Sequence, residues 1–179
     1  MKELPEIQQL LGRVQKPPGE EIPEGLSVEE LNRAESSLGL RFPTALRQWL
    51  SLTNGPCVGP GAFVGIRTRR QLADMEKILS FYPAWIVKGF IPVATDGCGN
   101  FYVAAVDRKL QEDAPILFID TQENPSMPAY IAASDLGRFI LFFLRKELGE
   151  SRWPFCREYV LDIDPESRRI HDVPLPWET

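Results

Sequence analysis

Between Leu26 and Gly55 the chain carries a helix start, a helix stop, a second start and a terminator in close succession. Ser27 and Glu30 stand at capping-box spacing, where hydroxyl and carboxylate reciprocally satisfy backbone donors at a helix N-terminus. Leu26 and Leu31 occupy the positions of a hydrophobic staple around that cap. Leu31, Ala34 and Leu38 form one apolar stripe, and Gly39 follows where a left-handed residue ends a helix. Pro43 suits a first helical position because its ring presets φ. The helix it opens turns Leu46, Trp49 and Leu50 inward, and Asn54-Gly55, both tolerant of positive φ, close it. Two helices joined by a tight elbow at Leu40–Phe42 are therefore predicted, and the rest of the fold must pack against them.

The flanking sequence supplies the partners. Leu4, Ile7, Leu10, Leu11 and Val14 recur at helical spacing, so Glu3–Val14 reads as an amphipathic helix, followed by a linker over Lys16–Gly25. Pro56–Gly61 is too rich in Gly and Pro for regular structure, and Phe63–Arg67 reads as a short strand. Thr68 and Gln71 suggest a second capping box ahead of a face formed by Leu72, Met75, Ile78 and Leu79. Phe90–Thr95 and Phe101–Val106 read as strands that reverse through Asp96–Asn100. Beyond the polar loop Asp107–Ala114, Ile116–Ile119 reads as a central strand and Ala129–Ala132 as the last strand of the meander. Ser134 is placed to cap a heavily buried helix through Leu148, with Gly149 after its end. Tyr159–Asp164 and Arg168–Val173, flanking Pro165–Ser167, suggest a C-terminal hairpin. Helices, then strands, then a helix is an α+β order. The expected architecture is a central antiparallel sheet with N-terminal helices and a C-terminal helix packed on it. With 179 residues, the chain is expected to form one domain.

Composition excludes several function classes. A net charge of −5 and dispersed basic residues argue against direct nucleic-acid binding, whose affinity grows with the number of cationic contacts. Cys57, Cys98 and Cys156 are odd in number and contain no Cys-x-x-Cys pair, so neither a disulfide framework nor a zinc site is expected. The opening Met1–Gly12 carries acids among its leucines, unlike a signal peptide. The apolar run near Phe139–Leu144 falls far short of the roughly 20 residues that span a bilayer. A cytoplasmic protein with no membrane partner is the expectation.

The order of motifs resembles a known family. Leu26-Ser27-x-x-Glu30-Leu31-x-x-Ala34-Glu35-x-x-Leu38-Gly39 runs into Phe42-Pro43-x-x-Leu46-x-x-Trp49-Leu50 and then Asn54-Gly55. Phe90-Ile91-Pro92-Val93-Ala94-x-Asp96-Gly97-x-Gly99-Asn100 follows, then Pro115-Ile116-x-Phe118 and a closing apolar helix. This pattern resembles the SUKH superfamily, which includes fungal cell-wall-assembly regulators and bacterial immunity proteins of polymorphic toxin systems. The resemblance covers roughly Leu26–Leu148 and leaves residues 150–179 as a C-terminal extension. It implies a non-catalytic protein-binding module. The first role it implies is an immunity protein that neutralises a cognate toxin domain, such as a nuclease or deaminase. The alternative is a regulatory or scaffold adaptor related to cell-wall-assembly control.

No catalytic constellation, cofactor motif or metal-ligand set accompanies these motifs. Gly97-x-Gly99 lacks the third glycine and following helix of a dinucleotide site, and Gly55–Gly65 lacks the Gly-Lys-Ser/Thr of a phosphate loop. The single histidine, His171, has no nucleophile elbow to serve. Asp162/Asp164 and Glu29/Glu30 read as solvated faces or strand alternation. The chain therefore reads as a non-enzyme. The partner-binding candidates are Trp49, Asn54, Gly55, Asp96, Gly97, Gly99 and Asn100, beside the loop Pro56–Gly61. For Trp49 the alternative is core packing, and for the Asn-Gly and Asp-Gly-x-Gly-Asn motifs it is a turn that only shapes the fold. The C-terminal hairpin, with Asp162 and Asp164, is the alternative contact surface.

Overall fold

The structure, a computed structural model, describes residues 1–108 and 113–179. The Asp107–Ala114 loop expected from sequence falls partly outside them. The local signals of the helical elbow are realised. Helix α1 is Leu4–Leu11, α2 is Val28–Leu38 and α3 is Thr44–Leu52. Ser27 Oγ accepts the Glu30 amide at 3.2 Å, the Glu30 carboxylate accepts the Ser27 amide at 2.8 Å, and Gly39 stops α2 at φ +65°. The elbow is locked by Glu35. Its carboxylate accepts the Phe42 amide at 2.7 Å and pairs with Arg47, which also reaches Asn32 at 3.0 Å.

Among the described residues six strands form one antiparallel sheet in sequential order: β1 Cys57–Val58, β2 Gly61–Phe63, β3 Phe90–Thr95, β4 Phe101–Ala105, β5 Ile116–Ile119 and β6 Tyr130–Ala133. Pro92 lies inside β3, where the missing amide coincides with a register shift against β4. Strands β3 and β4 are buried along their whole length, so both faces of the sheet are covered. Neighbouring residues show which element covers which face, because successive side chains point to opposite sides. Tyr102 packs on Phe139 and Phe143 of helix α6, Leu136–Glu147, while Phe101 packs on Tyr82 and Trp85. Those last two residues belong to the α4–α5 segment, with α4 at Met75–Phe81 and α5 at Ala84–Val87. Helix α6 is apolar nearly all round because the sheet, α1, α3 and the C-terminal residues enclose it.

The structure corrects five local expectations. Pro56–Gly61 is not irregular: it holds β1 and the tight turn into β2, and the strand expected at Phe63–Arg67 ends at Phe63. Thr68 does not cap a helix. A 3-10 turn at Gln71–Ala73 intervenes, and Asp74 caps α4 by accepting the Lys77 amide at 3.0 Å. Ser134 does not cap α6; Asp135 does, because the Ser134 hydroxyl is turned into the interior. Finally, the C-terminal hairpin is replaced by helix α7 at Arg157–Ile163 and a 3-10 segment at Pro165–Arg169. Tyr159, Val160 and Ile163 satisfy helical spacing, whereas alternation would select Tyr159, Leu161 and Ile163 and leave Val160, which the structure buries, on the opposite face. Pro165-Glu166-Ser167 offers no residue suited to the positive φ of a two-residue hairpin turn.

Candidate functional site

Two of the motifs singled out from sequence converge, through a third segment, on one groove of about 430 Å³. Pro60 and Gly61 of the β1–β2 turn and Gly97 and Gly99 of the β3–β4 turn form one side. The other side is the stretch Arg70–Tyr82. Buried Ala62, Ile78 and Phe101 line its depth, whereas Leu72 and Phe81 stand 64% and 62% exposed at its margin. Two large apolar side chains in solvent at the edge of one concavity make this a candidate contact surface.

The turn Asp96–Asn100 gives the groove a fixed wall. Asp96 Oδ1 accepts the amides of Cys98 at 2.7 Å and Asn100 at 3.1 Å, and Oδ2 accepts Asn100 Nδ2 at 2.9 Å. Asn100 Oδ1 in turn accepts the Thr121 amide at 3.1 Å, and the Thr121 hydroxyl donates to the Gly99 carbonyl at 2.9 Å. The polar atoms of this motif are thus spent on each other and on the β5–β6 loop. Asp96 is half-buried and Asn100 is buried, so the backbone at Gly97 and Gly99 is what faces the groove. Gly97 is also the point where two hairpin tips meet, since a Cβ there would lie 2.2 Å from the Pro60 carbonyl oxygen.

Asn54 and Gly55 act one step further back. Asn54 Oδ1 accepts the Ile66 amide at 2.7 Å and its Nδ2 donates to the Ile66 carbonyl at 2.9 Å. Gly55 takes φ +72°, with a Cβ position only 2.9 Å from the Gly65 nitrogen. Asn54 itself does not need positive φ; Arg67, at φ +53°, is the only non-glycine among the described residues that adopts it. This clamp fixes the start of the segment that carries Arg67, Arg69, Arg70 and Leu72 to the surface. Trp49 is not part of the site. It is 1% exposed and packs edge-on against Phe63 at 4.8 Å, so it belongs to the core.

Sequence reasoning missed Asp74, Leu72, Phe81 and Tyr82. Asp74 is 4% exposed and its two oxygens accept the Thr68 amide at 2.7 Å and the Lys77 amide at 3.0 Å, shaping the groove's second side. Its signal was present: an Asp directly before the apolar-periodic Met75 is a helix cap. Leu72 gave none, because the 3-10 turn takes it out of phase with Met75 and Ile78. Arg70 is the charged residue lining the groove among the described residues, and it is paired with Glu20. Burial pushes the Cys57 thiol above its ordinary pKa, which disfavours the reactive thiolate. Asp164 is fully buried, so it is not available as part of an exposed acidic surface at the C-terminus.

Among the described residues no group of three or more His, Cys, Asp or Glu is arranged to hold a metal ion, and no helix is long and apolar enough to cross a membrane. Fold and site together define an α+β protein in which a helical elbow and a closing helix pack on an antiparallel meander. The chain belongs to the SMI1 / KNR4 family (SUKH-1), whose pattern it matches over residues 25–141. The match ends within α6, so Phe142–Thr179 lie beyond it. Among solved structures it is similar to a protein from Pseudomonas syringae pv. tomato, 19% identical with a TM-score of 0.47, over 63% of this chain and 79% of that one. No curated protein is significantly similar to it.

Proposed function

We propose that this chain is a non-catalytic protein-binding module that contacts its partner through the groove between Arg70–Tyr82 and the two hairpin turns. The observation that carries this reading is the pair Leu72 and Phe81, exposed beside a concavity whose other wall is a hydrogen-bonded turn. Rigid walls keep the entropic cost of binding low, and apolar side chains at the margin supply the area to be buried. Membership of the family favours an immunity role: binding a cognate toxin domain, of the nuclease or deaminase kind, and covering its site. A regulatory or scaffold adaptor is the second reading, favoured by the fungal regulators of the superfamily.

Co-expression with a toxin domain encoded beside the gene tests the first reading. Restored growth of the host, together with a stoichiometric complex on size-exclusion chromatography, supports it. Leu72→Asp/Phe81→Asp then abolishes both. Lack of protection by the folded wild-type protein sinks the immunity role, and a stable assembly with a non-toxic neighbour moves the function to the adaptor.

A further inference from the structure

The stretch Arg67–Lys88 differs in charge from the rest of the chain. It holds five cations, Arg67, Arg69, Arg70, Lys77 and Lys88, against two acids, Asp74 and Glu76, although the whole chain carries −5. Both acids are committed. Asp74 is buried on backbone amides and Glu76 pairs with Arg67 at 3.2 Å. Arg70 pairs with Glu20, and among the described residues the Lys88 ammonium meets a carbonyl, that of Ser126 at 2.6 Å, and no carboxylate. Arg69 and Lys77 form no ion pair among the described residues. Lys77 stands one helical turn before Phe81, hence on the same face of α4. Arg69 lines a recess that adjoins the groove through Arg70 and Ala73; Glu20 and Glu21 line it too. Ile86 and Val87 of α5 are exposed as well.

We propose that this groove takes an acidic segment of a partner protein. An aliphatic or aromatic side chain sits between Leu72 and Phe81, and flanking carboxylates meet Arg69 and Lys77. The inference rests on the protein-binding reading above and names the chemistry of the partner. Complementary charge at the rim of an apolar contact is what orients such complexes and raises their association rate. The same observations disfavour other occupants. A second copy related by a two-fold axis sets this stretch, with its excess of cations, against the same stretch of its partner. Nucleic acid needs a denser cationic surface than the three cations of this stretch without an ion pair among the described residues, Arg69, Lys77 and Lys88, on a chain of net charge −5.

A displayed random-peptide library, selected on the wild-type protein and counter-selected on Leu72→Asp/Phe81→Asp, tests this. Both replaced side chains are exposed, and an unchanged unfolding midpoint verifies the fold of the variant. Groove-dependent peptides are expected to carry Asp or Glu around one aliphatic or aromatic residue, and Arg69→Glu/Lys77→Glu weakens them at least tenfold. Groove-dependent peptides that are neutral or basic overturn the acidic partner while leaving the groove as the binding surface. Peptides indifferent to Leu72→Asp/Phe81→Asp, or no binders at all, overturn both. Charge-reversal-sensitive binding that is tighter to phosphatidylserine vesicles or to a single-stranded oligonucleotide overturns the proposal in favour of a membrane or nucleic acid. A dimer in sedimentation that Leu72→Asp/Phe81→Asp dissolves overturns it in favour of a second copy.

Discussion

Asp164 accepts both hydrogens that Ser134 offers, the backbone amide at 2.7 Å and the hydroxyl at 2.6 Å. The contact ties residues 30 positions apart and fastens the segment after α7 to the start of α6. Arg138 approaches the same carboxylate at 3.4 Å, and Trp153 adds a second fastening, stacked on Phe142 with its indole donating to the Ala132 carbonyl at 3.0 Å.

The Asp164 contact predicts a pH dependence. Burial raises the Asp164 pKa above its ordinary value, against the lowering effect of the Ser134 hydrogen bonds and of Arg138. A carboxyl whose folded pKa lies above the unfolded one binds its proton more tightly in the native state. Its contribution to stability is therefore fully present below the unfolded pKa and is lost as pH rises through the folded one. Asp164→Asn carries no such proton. Unfolding free energies measured in urea from pH 3 to pH 7 are expected to show the stability of wild type relative to Asp164→Asn greatest at the acid end and falling as pH rises. A relative stability that increases with pH contradicts this assignment.

Gly97 and Gly99 both take positive φ, +84° and +100°, but only Gly97 is crowded. Gly99→Ala is expected to cost about 1–2 kcal/mol, the strain of a side chain in a left-handed conformation. Gly97→Ala carries that strain plus a clash with the Pro60 carbonyl, so it is expected to cost more and to part the two hairpin tips that form the groove wall. Denaturation midpoints rank the two variants, and equal losses contradict the close approach.

Asn54→Ala removes both hydrogen bonds to Ile66 and leaves a part-buried amide without its acceptor, at an expected cost of about 1–3 kcal/mol. Asn54→Asp keeps the acceptor for the Ile66 amide but turns a carboxylate oxygen toward the Ile66 carbonyl, so it recovers only part of the loss. Chemical denaturation of the three proteins in parallel checks the order wild type, Asn54→Asp, Asn54→Ala. An Asn54→Ala protein as stable as wild type places the side chain at the surface as a contact residue instead.

The features legible from residue order alone are those whose partners are near neighbours along the chain. Ser27 with Glu30, Gly39 at the end of α2, and Asp96 with Cys98 and Asn100 are bonds across a few residues, so spacing and residue type specify them. The bounds of β3 and β5 were legible for a similar reason, since a short apolar run between turn residues has few other ways to be buried. Tertiary structure decided the rest. Trp49 is an aromatic in a motif, and only its packing against Phe63 makes it core. Leu72 is an apolar residue like Met75, and only the 3-10 turn before α4 leaves it in solvent. Tyr159–Asp164 satisfied both a strand and a helix pattern, and the choice fell to helix with Asp164 drawn onto Ser134. A hydrogen bond to a neighbour is encoded in spacing, whereas burial depends on which distant surface arrives to cover a residue, and local pattern does not contain that information.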